Sequence, residues 1–345
     1  MEKKIKIPFI KIKNPNLESF IKNFQQSIDS NHYSNFGPCE KQLTKMLESK
    51  VGYSVICAAN ATLILDGLHH ILSKVCSLAY LPGFTFSATN LGCRIPYVFG
   101  ETQTKGDLLG FTLFNVKGAN NSYSITTAPF GAKKPKEYNR PNTTFWIVDN
   151  AAGTSPDMEK VKEWLDVGAD AVICSLHATK TLSGCEGGFI AFNNKFLYDS
   201  YRKYLVFGFY LDNINTKRSE FIGSNHKMSE LSAAYVISYW EELFDIEYRN
   251  RLMVVEKYVN FCISRNIEFI YSPQAFWIKC DKEASEVEKK LLAFDVEAKP
   301  YYRPIFDSLN VDMGSKILEK FGLCLPTWGM TEDQIDYTIG VLKTL

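Results

Sequence analysis

An α/β domain of buried parallel strands followed by a smaller α+β domain is the fold that three observations predict. Short apolar runs recur through the first half of the chain, and each closes on small polar or turn residues. Runs that are apolar throughout, rather than alternating, suit parallel strands covered on both faces. Beyond residue 225 the pattern changes to long helical segments with a few strands.

The elements follow in order. Residues 15–50 carry two helix candidates, with Leu17, Phe20, Ile21 and Phe24, then Leu43, Met46 and Leu47, at helical spacing around the turn Asn35-Phe36-Gly37-Pro38. Val51 to Ala58 is a β-prone run. It stops at Ala59-Asn60-Ala61-Thr62, and Leu63, Leu65, Leu68, Ile71 and Leu72 then continue as a helix. Further runs are Leu78–Leu81, Tyr97–Phe99, Ser124–Thr127, Phe145–Val148 and Ala171–Cys174, which end near Pro82-Gly83, Glu101, Pro129, Asp149 and Ser175. A last run, Phe189–Phe192, follows the glycine-rich Gly184-Cys185-Glu186-Gly187-Gly188. Met228 to Phe244 reads as a helix that runs on past Arg251. Beyond it come a helix (Val254–Ile263), strands (Phe269–Tyr271 and Phe276–Ile278), a helix (Ala284–Phe294) and a C-terminal helix opened by Thr331-Glu332-Asp333. The expected domains are residues 1–240 and 241–345.

Composition excludes several functions. At 345 residues with a net charge of +1, nothing points to nucleic acid or an anionic membrane surface. No run approaches the roughly 18 apolar residues of a membrane span. Met1 to Lys13 is basic but interrupted by Pro8, and reads as neither a signal nor a transit peptide. Nine cysteines, an odd number without CxxC spacing, suggest buried free thiols in a reducing, cytoplasmic setting. The five histidines form no ligand set, so no metal is expected, and His69 and His70 read as ordinary helix residues. The sequons at Asn60, Asn120 and Asn142 read as chance matches.

In open α/β sheets ligands bind beyond the carboxyl ends of the strands, so the residues there are the candidates. Lys180 follows the Ala171–Cys174 run and presents an amine able to condense with an aldehyde. Asp149 ends its own run, where a carboxylate can keep a pyridine nitrogen protonated. Ala61 and Thr62 open a helix whose free N–H groups and dipole attract a phosphate, and Ser175 can add a hydroxyl. Phe86 offers a flat ring for stacking. Each has an ordinary structural alternative: a surface lysine, a turn aspartate, a helix cap, a core aromatic. Their order along the chain matches one cofactor, pyridoxal 5′-phosphate.

That order resembles the DegT/DnrJ/EryC1/StrS family of sugar aminotransferases, over roughly residue 15 to the end. Ala59-Asn60-Ala61-Thr62-Leu63 resembles the family's "SGTAAL" turn, and Leu81 to Thr89 its "PSFTFVAT". Asp149-Asn150-Ala151-Ala152 resembles "EDAAQ", and Ser175-Leu176-His177-Ala178-Thr179-Lys180 resembles "SFHPTK". Asn225-His226-Lys227-Met228-Ser229-Glu230-Leu231 resembles "NYRMSDL". The resemblance implies a fold-type I pyridoxal-phosphate transferase: a large domain with a mixed, mostly parallel seven-stranded sheet, and a smaller C-terminal α+β domain. It implies Lys180 as Schiff-base lysine and proton shuttle. Asp149 would sit on the ring nitrogen, Phe86 on the ring face, and Ala61, Thr62 and Ser175 on the phosphate. Asn225 would reach the cofactor of a neighbouring subunit, which implies a homodimer with shared active sites. His177, His226, Lys227 and Arg303 are substrate-side candidates, Arg303 from the segment Lys299-Pro300-Tyr301-Tyr302-Arg303-Pro304. The implied reaction passes an amino group from L-glutamate to a nucleotide-linked keto-deoxy-sugar, in the making of a surface polysaccharide or a glycosylated product. A smaller keto or aldehyde substrate and a non-catalytic homologue are the alternatives. The chain departs from the family at Ala152, where Gln or His is usual, and at Cys185, where Gly is usual.

Overall fold

The computed structural model describes residues 7–116, 120–209, 219, 222–302 and 311–345. The strands are β1 (Ser54–Ala58), β2 (Leu78–Leu81), β3 (Tyr97–Phe99), β4 (Glu101–Thr102), β5 (Thr112–Leu113), β6 (Ser122–Thr127), β7 (Phe145–Asp149), β8 (Ala171–Ser175), β9 (Gly188–Phe192), β10 (Phe269–Ser272), β11 (Ala275–Lys279) and β12 (Gly322–Leu325). The helices are α1 (Leu17–Asp29), α2 (Pro38–Val51), α3 (Ala61–Leu72), α4 (Ala88–Leu91), α5 (Glu159–Asp166), α6 (Lys195–Tyr204), α7 (Glu230–Tyr239), α8 (Asp245–Arg265), α9 (Ala284–Ala293), α10 (Met313–Phe321) and α11 (Glu332–Leu342).

Seven strands form one sheet in the order β1-β9-β8-β7-β6-β2-β3. All run parallel except β9, which is antiparallel to both of its neighbours. Successive side chains of a strand face opposite sides, and here both sides are covered. Val172 and Cys174 enter a core with α2, α5 and α7, whereas Ala171 and Ile173 enter another with α3 and α6. This double cover is the reason that the strands read as unbroken apolar runs.

A third core belongs to the C-terminal part, a sheet β10-β11-β12 with α8, α9 and α11. Ile7 joins this core and pairs with Val296, so the described chain begins there before crossing to α1. Two expectations shift. Val51 closes α2 rather than opening a strand, because Gly52 caps that helix in the left-handed conformation at φ 77°. The expected helix from Met228 past Arg251 is α7 and α8 joined by a π-helical turn at Trp240–Phe244. α10 and β12 had no counterpart in the sequence reading: β12 is four residues long and owes its place to β11, far away in the chain.

Candidate active site

The strand ends converge on a cavity of about 520 Å³. The register of β9 explains how its first corner is built. Gly188 stands opposite Ala58 of β1 and Ser175 of β8, which brings the turn before α3 beside the end of β8. A Cβ on Gly188 would lie 2.7 Å from the Ala61 nitrogen, so only glycine permits this approach. Asn60 caps α3 by accepting from Leu63 N at 2.8 Å, while Ala61 and Thr62 line the cavity. Ser175 Oγ accepts from His177 N at 3.2 Å and lines the same corner.

Asp149, at the end of β7, is the floor. It is 5% exposed, and its carboxylate accepts from Thr89 Oγ1 at 2.7 Å and from Ala151 N at 3.1 Å. Because Thr89 donates to the carboxylate, the contact at 2.6 Å between Thr85 Oγ1 and Thr89 Oγ1 has Thr85 as donor, and Thr127 donates to Thr85 at 2.8 Å. Three threonines, from the loop after β2, from α4 and from β6, thus form a one-way chain ending on Asp149. Burial raises the Asp149 carboxyl above the usual range, against these donors and the Lys180 charge. Burial likewise lowers the Lys180 amine, while Asp149 and then Cys174 act the other way. Lys180 is therefore easier to deprotonate than an exposed lysine.

The roof comes from residues far away in the chain. Phe86 lines the cavity and is 58% exposed. Tyr302 stacks on Phe130 at 4.5 Å between ring centres and accepts from Phe130 N at 3.1 Å. Phe9, Gln274 and Trp328 complete the wall. Of the sequence candidates, Ala61, Thr62, Phe86, Asp149, Ser175, His177 and Lys180 meet in this cavity. Asn225, His226 and Lys227 do not line it; His226 is buried beside Tyr201 and Tyr204, and Lys227 donates to Asn225 Oδ1 at 2.5 Å. Arg303 lies outside the described residues. The sequence reading missed the threonine chain, Phe9, Gln274 and Trp328. Its motif at 299–304 reached Tyr301 and Tyr302 without assigning them a role.

Residues 147–311 match the DegT/DnrJ/EryC1/StrS aminotransferase family. Over that segment the chain is similar to the family. Among curated relatives, Protein Rv3402c of Mycobacterium tuberculosis (strain ATCC 25618 / H37Rv) is 28% identical, over 87% of this chain and 77% of its own. Among solved structures, NtdA of Bacillus subtilis with bound PMP superposes with a TM-score of 0.82 at 19% identity, covering 99% of this chain and 86% of that one. DesI, solved in the presence of its TDP-sugar product, gives a TM-score of 0.75 at 19% identity over 99% and 93%. The fold is that of the PLP-dependent aminotransferases.

The residues present fit pyridoxal 5′-phosphate. A buried carboxylate, a helix N-terminus opened by Gly188 and an amine of lowered basicity face one cavity. These supply a partner for a ring nitrogen, a cradle for a phosphate and a nucleophile for an aldehyde. Ala152 lines the same cavity. Among the described residues no helix is long and apolar enough to cross a membrane, and no group of three His, Cys, Asp or Glu could hold a metal.

Proposed function

We propose that this chain transfers an amino group from L-glutamate to the keto group of a nucleotide-linked keto-deoxy-sugar, with pyridoxal 5′-phosphate as cofactor. The observation that carries the proposal is the convergence of Lys180, Asp149 and the Ala61–Thr62 turn on one cavity. The cofactor, when bound, supplies the electron sink that lets a Cα proton leave.

The side chains divide the work. Asp149 holds the protonated ring nitrogen; that positive charge offsets the burial that raises its carboxyl in the isolated chain. Thr89, backed by Thr85 and Thr127, keeps the carboxylate turned to the ring. The N–H groups of Ala61 and Thr62 and the Ser175 hydroxyl bind the phosphate, and Phe86 covers the ring face. Lys180 would hold the cofactor through its aldehyde carbon and, when free, would take up and return the proton at the donor Cα. Its lowered basicity suits this task, because a proton carrier must exist partly unprotonated. DesI, with its TDP-sugar product, supports a nucleotide sugar as the acceptor.

The reading extends to assembly. Asn225 is exposed and does not line the cavity of its own chain, and Phe86 leaves apolar surface open at the mouth. Both features support a homodimer in which Asn225 reaches the neighbour's phosphate. His177, which lies 3.7 Å from Glu186, with His226, Lys227 and Arg303, are assigned to the substrate side. Residues 1–240 and 241–345 are taken as the two domains, with Ile7 docking on the second. A cytoplasmic enzyme of polysaccharide or glycoside assembly fits this chemistry.

The test is a panel of keto-sugar nucleotides with L-glutamate, read by product mass. An amino-sugar product is expected from at least one of them, and Lys180→Ala should lose turnover altogether. A Lys180→Ala protein that still turns over would sink the assignment.

A further inference from the structure

The turn joining β10 to β11 grips the cavity at two points. Ser272 Oγ donates to Phe130 O at 2.6 Å, and Gln274 Nε2 donates to Thr179 O at 2.6 Å. Gln274 N donates to Ser272 Oγ at 3.0 Å, so both prongs share one rigid frame. Phe130 and Thr179 line the cavity, and Thr179 immediately precedes Lys180. On the other side of the lysine, Thr181 Oγ1 donates to Thr154 O at 2.9 Å. Lys180 therefore sits between two anchors. Thr154 follows β7 of the lysine's own sheet, and Gln274 comes from the C-terminal sheet.

The chemistry of the Gln274 amide fixes its role. Its Oε1 is buried with no hydrogen-bond partner, and a carbonyl such as that of Thr179 accepts only from the NH2 end. No lining side chain from the C-terminal sheet binds the backbone next to Lys180 in any other way among the described residues.

We propose that the Ser272–Gln274 turn is a clip that sets the position of Lys180, with Gln274 as a positioning residue acting through the Thr179 carbonyl. The inference deepens the function proposed above and rests on Lys180 being the reacting amine. It ties the C-terminal part of the chain to the amine itself as well as to the substrate wall. Methionine at 274 keeps the length and removes the donor. Glutamate replaces the donor with an acceptor facing another acceptor and adds negative charge near the amine.

Two readouts test the clip, and neither is turnover. In the protein loaded with pyridoxal 5′-phosphate, the pH titration of the lysine-bound cofactor's absorbance is compared among wild type, Gln274→Met and Gln274→Glu. The apparent pKa should move by about half a unit or more in both variants, and upward in Gln274→Glu. In the cofactor-free protein, acetylation by limiting acetic anhydride is mapped by mass spectrometry. Lys180 should react at a rate changed by about threefold or more in Gln274→Met, as a displaced amine would, while the exposed Lys195 serves as the internal reference. Ser272→Ala should move both readouts in the same direction by less. A lowered thermal midpoint with both readouts at wild-type values would overturn the clip and leave the turn as scaffold. If wild type forms no lysine-bound cofactor, the proposed function fails and the acetylation comparison alone decides the clip.

Discussion

Two buried carboxylates in this molecule have opposite surroundings. Glu230, 1% exposed, accepts from Cys39 N at 2.7 Å, Glu40 N at 3.1 Å and Ser27 Oγ at 2.8 Å. It closes the N-terminus of α2, where free N–H groups need an acceptor and the dipole favours negative charge. A Cβ on Gly37 would lie 2.5 Å from its Cδ, so even the approach is fitted to this carboxylate. Asp149 has two donors, opens on a cavity and faces an amine of reduced basicity. A carboxylate occupied by two backbone N–H groups and a hydroxyl holds structure together. One left with room for a further partner, at a strand end, is a site.

The contrast breaks most visibly on substitution. Asp149→Asn keeps the shape and removes the charge. Its kcat/KM should fall by roughly a thousandfold, on the order of 4 kcal/mol of transition-state stabilisation, with little change in unfolding midpoint. Steady-state kinetics beside a thermal scan check this; an enzyme within threefold of wild type would reduce Asp149 to a structural role. Glu230→Gln should do the reverse. One amide NH2 then confronts N–H donors in a dry site, which costs about 4 kcal/mol of stability, while the cofactor absorbance of the remaining folded protein stays as in wild type. Urea unfolding measures the first quantity and a spectrum the second. Unchanged stability would mean that the α2 terminus finds other acceptors.

How much of this was legible in the sequence follows the same division. Lys180, Asp149, Ser175 and the Ala61–Thr62 turn could be found because a strand end is a local event, marked where an apolar run stops. Glu230 was read only as part of a motif, since its partners lie some 190 residues earlier. The threonine chain on Asp149 was hidden for another reason: Thr85, Thr89 and Thr127 are individually unremarkable, and only the pairing of β2 with β6 and β6 with β7 brings them together. Gln274 and Trp328 reach the cavity from the C-terminal part, whose place over the strand ends no local pattern encodes. His69 read as an ordinary helix residue, yet it is buried, with one ring nitrogen 2.7 Å from Tyr123 Oη and the other 2.8 Å from Thr89 O. The ring thus supports α4, which carries Thr89, a role invisible without the fold.

Glu40 sharpens the comparison, because it shares the Glu230 site without its saturation. Its side chain is buried and accepts from Thr44 Oγ1 at 2.9 Å. Burial first, and the neighbouring Glu230 charge after it, push the carboxyl up to about 7, against the Thr44 hydrogen bond. A carboxyl raised on folding binds its proton more tightly in the folded chain than in the unfolded one. Its contribution to stability is therefore complete below pH 4.5 and is lost as pH rises through about 7. Between pH 5 and 8 the loss is on the order of 2 kcal/mol. Glu40→Gln keeps a neutral acceptor for Thr44 and removes the titration. Asp149, also raised, is common to both proteins and cancels in the difference. Urea unfolding at both pH values should thus find the variant gaining on wild type as pH rises, the gain accumulating from pH 4.5 up to about 7 and levelling off above it. Equal losses in the two proteins would show that Glu40 ionises freely, and that the α2 terminus tolerates two neighbouring charges without cost.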